Sequence, residues 1–328
     1  MLIRNKFTEQ FDLRVPLLQG PMGGVSGPRL VAAVAQAGAL GILPIWSGSV
    51  EASIGKIAQT RALTDKAFAV NIRADLVQPD HISAAIDQGV AIVHLFWGNP
   101  KLSSRTIPKD VKMIATVWDE ASAKSALDAG ACALIAQGVE AGGHVMGTTS
   151  LRDLISIVTS IAGDVPVAAA GGLATAQDVK DVLEQGACAA LFGTRFVASI
   201  ESDAHDFYKS SIVNATEDTT VRTECFDGAW ADAPHRVLRN STFTNWENAG
   251  SPASPDRPGE GEMILQTASG QSLPRYYISP PAAGMTGEVE AAAMYAGTGV
   301  EKIRDVPGVA AFIEGIEREL LGNWNREN

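Results

Sequence analysis

The residues best suited to chemistry lie in the stretch AQGVEAGGHVMG, Ala136–Gly147. His144 follows two glycines at the end of an apolar, strand-like run over residues 131–136. Glycines allow a ligand to come close to the backbone, and an imidazole exchanges a proton near neutral pH. His144 is therefore the candidate catalytic residue, flanked by Gln137, Gly142 and Gly143. The other histidines read differently. His81 and His205 fall on polar helical patterns, His94 sits inside a strand pattern as a satisfied core histidine, and His235 in WADAPHRVLRN suits a structural hydrogen-bonding role. The chain has no HExxH or Cys/His ligand spacing and no GxSxG elbow, so neither a metal centre nor a serine nucleophile is expected.

A second constellation suits an anion. AAAGGLATAQD and LFGTRFVAS each end an apolar run on glycine. Gly171, Gly172 and Gly193 leave backbone N–H groups free to face a phosphate, Thr194 adds a hydroxyl, and a short helix starting at Thr194 aims its positive end inward; Leu191 and Phe192 lead into it. In GPMGG, residues Gly20, Pro21 and Met22 form an irregular apolar segment able to lie against a flat ring, and Asn71 and Gln137 offer amides for its polar edges. A flat heteroaromatic bearing one phosphate fits the set. The alternative, that Asn71 and Gln137 only satisfy loop backbone groups, stays open.

The elements that would position these residues follow a repeated pattern. QAGALGIL, DQGVAIVHLF, DAGACALIAQG and EQGACAALFGT each close a helix on glycine and run into a short apolar strand. With PLLQGPMGG, KAFAVNIRA, VKMIATVW and VPVAAAGG they make eight strands, separated by amphipathic helices, an α/β pattern. Eight strands without in/out alternation favour a closed (β/α)8 TIM barrel over an open doubly wound sheet, which is the alternative. Residues 1–202 would form the barrel core and 203–284 a loop-rich insertion over its mouth after strand eight. Residues 285–328 would supply closing helices, in EVEAAAMYAG and VAAFIEGIERELL.

Composition narrows the function classes. The chain has 328 residues, a net charge of −11, 46% apolar and 19% charged residues, enough for a sizeable core and too acidic for a broad nucleic-acid-binding face. Its greasiest stretch, residues 30–46, is broken by Gln36, Gly38, Gly41 and Pro44, so no membrane span is expected. Three scattered cysteines, Cys132, Cys188 and Cys225, form no disulfide framework, which points to the cytoplasm.

Together, GPMGGVSGP, QGVEAGGH, AAGGLATAQDVKDVLEQGACAALFGTRF and the late AGTG resemble the nitronate monooxygenases, formerly called 2-nitropropane dioxygenases. The resemblance runs from Pro16 to about Glu201 and more loosely over the final helices. It implies noncovalent FMN, with phosphate on Gly172, Gly193 and Thr194 and the ring near Pro21, Met22, Asn71, Gln137 and Gly142. The family's catalytic histidine falls on His144, where it would abstract a proton from a nitroalkane or orient the nitronate. The partners implied are a small-molecule substrate and dioxygen, with a homo-oligomer left open. Thr298 stands where the family often has glutamine. Two alternatives remain: an FMN- and NADH-dependent enoyl reductase, which shares the barrel and a glycine-flanked histidine, and a flavin-binding protein with another substrate. An enzyme of the IMP dehydrogenase type needs a cysteine nucleophile, and the loop that would carry it offers only His144.

Overall fold

A computed structural model describes residues 4–327 of the chain. Eight parallel strands form its centre: β1 (Leu17–Gln19), β2 (Ile42–Pro44), β3 (Ala69–Arg73), β4 (Ile92–Phe96), β5 (Lys112–Val117), β6 (Ala133–Gln137), β7 (Val167–Ala170) and β8 (Ala189–Phe192). Each pairs with the next in sequence from β2 to β8, β8 pairs with β1, and a parallel bridge between Leu18 and Leu40 closes the ring. That closing seam is short. The buried Gln19 side chain reinforces it, donating to Ser26 Oγ at 2.9 Å and accepting from the Ile42 N–H at 3.1 Å. The barrel is the expected (β/α)8 fold.

Local chemistry sets the joints. Gly38, Gly89, Gly130 and Gly186, at four of the helix-to-strand joints, all have φ between 78° and 100°. A side chain in that left-handed region is strained, so glycine ends each helix at the residue where the chain must turn back. The segment NPKLSSRTIPKD makes only a short helical turn, Pro100–Ser103, with a 3-10 turn after it.

Inside the barrel, Leu18, Ile42, Ile92, Ile114 and Ile135 pack with the alanines of β7 and β8, and Phe7 and Phe11 from the N-terminal helix Lys6–Phe11 plug the lower end. Burying each phenylalanine contributes about 1.5–3 kcal/mol. Small residues on β7 and β8 leave the opposite, carboxyl-end mouth open. Between strands and helices two further apolar layers complete the core.

The chain beyond β8 returns to that mouth. Strands Thr220–Thr223 and His235–Leu238 pair antiparallel, and the second also pairs with Gly143–His144, placing His144 opposite His235. A second small sheet joins Met263–Gln266, Ser272–Pro274 and Thr286–Gly287. EVEAAAMYAG is not a helix, contrary to its alanine-rich pattern. A 3-10 turn at Val289–Ala291 leads into extended chain, where Leu238 N–H donates to the Met294 carbonyl and Ala296 N–H to that of Arg236. Ala291, Ala292, Ala293 and Ala296 are all buried, so pairing with a neighbouring strand overrides alanine's helical preference. The last helix, Val309–Glu327, packs on the outer ring through Val309, Ile313, Ile316 and Leu320. Among the described residues no helix is long and apolar enough to cross a membrane.

Candidate active site

The carboxyl ends of the strands surround a cavity of about 430 Å³. Of the residues expected to bind a cofactor, Gly20, Pro21, Met22, Asn71, Gln137, Gly142, Gly143, Gly171, Gly172, Leu191, Gly193 and Thr194 line it, as does His144. Phe192 does not. Adjacent strand residues point to opposite sides, so Leu191 faces the cavity while the Phe192 ring packs outward on Phe196 and Phe312. Only the Phe192 carbonyl serves the site's frame, accepting from Gly20 N–H at 2.8 Å.

One end of the cavity has the form of an anion cradle. Gly171 and Gly172 have φ of 133° and 67°, a conformation closed to most side chains. A Cβ on Gly193 would meet nothing within 4 Å, so the space in front of it is free for a ligand. The Thr194 hydroxyl, at the start of the short helix Thr194–Val197, accepts from Gly297 N–H at 3.0 Å and keeps its own proton for an acceptor in the cavity. Thr298 packs at the back of this cradle, its Oγ1 lying 2.8 Å from where a Gly172 Cβ would stand.

Polar strand ends line the middle. Asn71 Nδ2 lies 3.2 Å from His94 Nδ1, and His94 Nε2 lies 2.8 Å from Thr116 Oγ1. Because the amide N–H donates to Nδ1, the other nitrogen carries the proton and donates to Thr116. Burial pushes the His94 pKa down to about 3, so it stays neutral. The satisfied core histidine is thus also part of the cavity wall. Gln137 donates to the His144 carbonyl at 3.2 Å, while its own Oε1 is buried without a partner. An unpaired buried acceptor costs about 1–3 kcal/mol, which an N–H on a bound ring edge would recover. The apolar segment Gly20–Met22, the cradle and this acceptor fit a flat, phosphate-bearing ring.

At the far side His144 stands among aromatic rings. Its imidazole stacks on Trp230 with centroids 4.0 Å apart and planes at 19°, and Trp97 meets it edge-on at 5.9 Å. Its Nε2 is buried and unpartnered. Burial first, then His235 and Arg73, holds its pKa well below 6.5, which keeps the ring neutral and able to accept a proton. His235 is locked neutral by its partners: Nδ1 donates to the Ala233 carbonyl at 2.9 Å and Nε2 accepts from Phe226 N–H at 3.3 Å. It braces the sheet that holds His144, the structural role expected of it. His81 lies 3.3 Å from the Gly48 carbonyl, and His205 caps the helix Asp206–Val213.

The comparisons with known proteins meet this geometry. The family profile for nitronate monooxygenase matches residues 4–91 and 80–319. The chain belongs to the nitronate monooxygenase family. A nitronate monooxygenase of Pseudomonas aeruginosa is 30% identical across 97% of this chain and 99% of its own length. A Mycobacterium tuberculosis enzyme named (3aS,4S,5R,7aS)-5-hydroxy-7a-methyl-1-oxo-octahydro-1H-indene-4-carboxyl-CoA dehydrogenase is 35% identical over 76% of this chain and 70% of its own. Among solved structures, the nitroalkane oxidase of Streptomyces ansochromogenes superposes with a TM-score of 0.77 at 25% identity, covering 99% of this chain and all of that one (100%). FabK of Thermotoga maritima gives 0.77 at 29%, covering 99% and 98%. Membership of this family makes the chain an enzyme, an oxidoreductase on a TIM barrel.

The sequence had not marked Trp97, Trp230 or Tyr295 as parts of the site. Trp230 lies in the insertion, and nothing local in the sequence links it to residues near β3 and β6. Of the tyrosine pair Tyr276–Tyr277, Tyr277 lines the cavity; Tyr276 is buried elsewhere, its hydroxyl donating to the Pro258 carbonyl at 2.7 Å.

Proposed function

We propose that the chain is an FMN-dependent enzyme that oxidises small carbon acids, typified by alkyl nitronates, with dioxygen, releasing a carbonyl compound and nitrite. The observation that carries this is His144, with a neutral imidazole and an unpartnered Nε2, lining the same cavity as the phosphate cradle and as Gln137, whose Oε1 is unpaired. Gly171, Gly172, Gly193 and Thr194 would hold the FMN phosphate, Gly20, Pro21 and Met22 would lie along the ring, and Gln137, with Asn71, would meet its polar edge. FMN, when bound, takes electrons from the substrate and passes them to dioxygen.

His144 has the role of base or anchor. Starting from a neutral nitroalkane, its Nε2 accepts the α-proton; the imidazolium formed is costly among tryptophans, and the nitronate anion beside it offsets that cost. Starting from a nitronate, the ring only orients the nitro oxygens. Trp97, Trp230 and Tyr295 exclude water around it. The substrate would be a small molecule, and the free Cys132, Cys188 and Cys225 suit a reducing cytoplasm.

A second reading is favoured by the 35% identity to the CoA-thioester dehydrogenase: a thioester substrate, with FMN- and NADH-dependent reduction of an enoyl thioester as its simplest form. Anaerobic mixing with propyl-2-nitronate separates the two. Rapid bleaching of the oxidised flavin spectrum supports nitronate oxidation; no bleaching, with NADH consumption on an enoyl thioester, supports the second reading.

A further inference from the structure

The insertion touches the chemistry of the site at one side chain. Trp230 lies on a turn where its N–H donates to the Asp227 carbonyl at 2.8 Å, and only 8% of the residue is exposed. The Arg73 guanidinium carbon stands 3.2 Å from the Trp230 ring centroid, and the His144 ring centroid is 4.0 Å from it. Two flat groups that close to one ring would collide if they shared a face, so they occupy opposite faces. Arg73, Trp230 and His144 form a three-layer stack. Asp75 holds the outer layer, accepting from Arg73 Nε at 3.1 Å and Nη2 at 2.6 Å. Trp97 closes the side, perpendicular to the indole (77°) and to the imidazole (85°). Its own backbone is strained to φ 62°, a cost of roughly 1–3 kcal/mol that the surrounding contacts must outweigh.

We propose that Trp230 is a positioning residue for His144, clamped from behind by Arg73, and that this stack fixes the imidazole plane and keeps water from it. A cation over an indole is worth about 0.5–2 kcal/mol, so the clamp favours the docked arrangement without a covalent link. A stacked imidazole has one plane available to it, which holds the unpartnered Nε2 in one place on a residue that lines the cavity. The other titratable and charged groups around His144 are His235 and Tyr295, with ring centroids at 5.4 and 5.5 Å, and Arg222 and Arg236 on the adjoining strands. The carboxylates of the neighbourhood are occupied, Asp75 by Arg73 and Asp227 by Arg257.

The proposal rests on His144 as the reactive group, so its test reads the imidazole directly as well as turnover. Histidine side chains labelled with nitrogen-15 are followed by NMR against pH in the purified flavoprotein, with His144 assigned by H144N. In the wild type His144 stays neutral well below pH 6.5. In W230L, which fills the space without a π face, its titration midpoint rises by about one unit or more toward 6.5, whereas W230F holds it near the wild-type position. In parallel, W230L loses about tenfold or more in kcat on nitroethane with a smaller change in KM, and W230F recovers most of it. A folded W230L whose His144 titrates as in the wild type overturns the proposal. If the wild type fails to turn over nitroethane while the midpoints move as stated, the clamp stands and the nitronate reading falls instead.

Discussion

The Gln137 side chain at the end of β6 donates to the backbone carbonyl of His144 at 3.2 Å. One amide thereby fixes the histidine strand while its other end, Oε1, is buried and unpaired on a residue that lines the cavity. On the proposed reading, this single side chain would serve both the cofactor edge and the strand that carries His144. Gln137→Leu should weaken FMN binding roughly tenfold, the scale of one lost hydrogen bond between ligand and buried acceptor. Equilibrium dialysis of FMN with both proteins checks it; an unchanged dissociation constant would place the ring elsewhere.

The cradle separates two glycines that look alike in sequence. Gly193 has room for a Cβ and an ordinary φ of −103°, so Gly193→Val should fold with an unchanged melting temperature and yet be purified without flavin. Gly172→Val places a branched side chain at φ 67° and against Thr298, and should lower the melting temperature as well. Flavin-to-protein ratios and circular-dichroism melts decide it. A fully loaded Gly193→Val would show that the phosphate does not lie there.

Adjacent tyrosines should behave oppositely. Tyr277→Ala opens the cavity wall and should change KM and substrate range with little loss of stability. Tyr276→Ala removes a buried ring packed under Arg257, and should cost about 3–5 kcal/mol with kinetics of the folded fraction unchanged. Urea unfolding beside steady-state kinetics distinguishes them; the reverse assignment would refute the placement of this segment.

Buried neutral histidines make the fold acid-sensitive. His94 has a folded pKa near 3 against 6.5 when exposed, and His144 and His235 are lowered too, each chiefly by burial. The unfolded chain then binds protons that the folded chain refuses. Stability is fully present above pH 6.5 and falls as pH drops below it, by about 1.4 kcal/mol per unit for each such histidine until its folded pKa is reached. Replacing His94 with Gln, which keeps a hydrogen-bonding amide, should make the decline between pH 6 and 4 shallower by about one proton's worth. Urea midpoints measured across that range test it, and parallel profiles for the two proteins would contradict it.

What the sequence made legible was local. Gly38, Gly89, Gly130 and Gly186 announce helix ends because only glycine takes the turn cheaply, and the barrel strands carry Asn71, Gln137 and the cradle glycines into one mouth. Phe192 was misplaced because inward or outward facing on a four-residue strand is decided by barrel register, which neighbouring residues do not encode. EVEAAAMYAG misled because its alanines fill a core beside another strand. The Arg73–Trp230–His144 stack was invisible because its members come from distant stretches of chain and meet only through tertiary packing.

The most direct test of the account is His144→Asn assayed on a neutral nitroalkane and on its preformed nitronate. Asparagine keeps a hydrogen bond and loses the base. With His144 as proton acceptor, turnover of the nitroalkane should fall by about a hundredfold or more, while the nitronate, already deprotonated, should keep much of its rate and the flavin should remain bound. Equal losses on both substrates would assign His144 to orienting the anion. Unimpaired turnover of the nitroalkane would remove it from the mechanism and contradict the account.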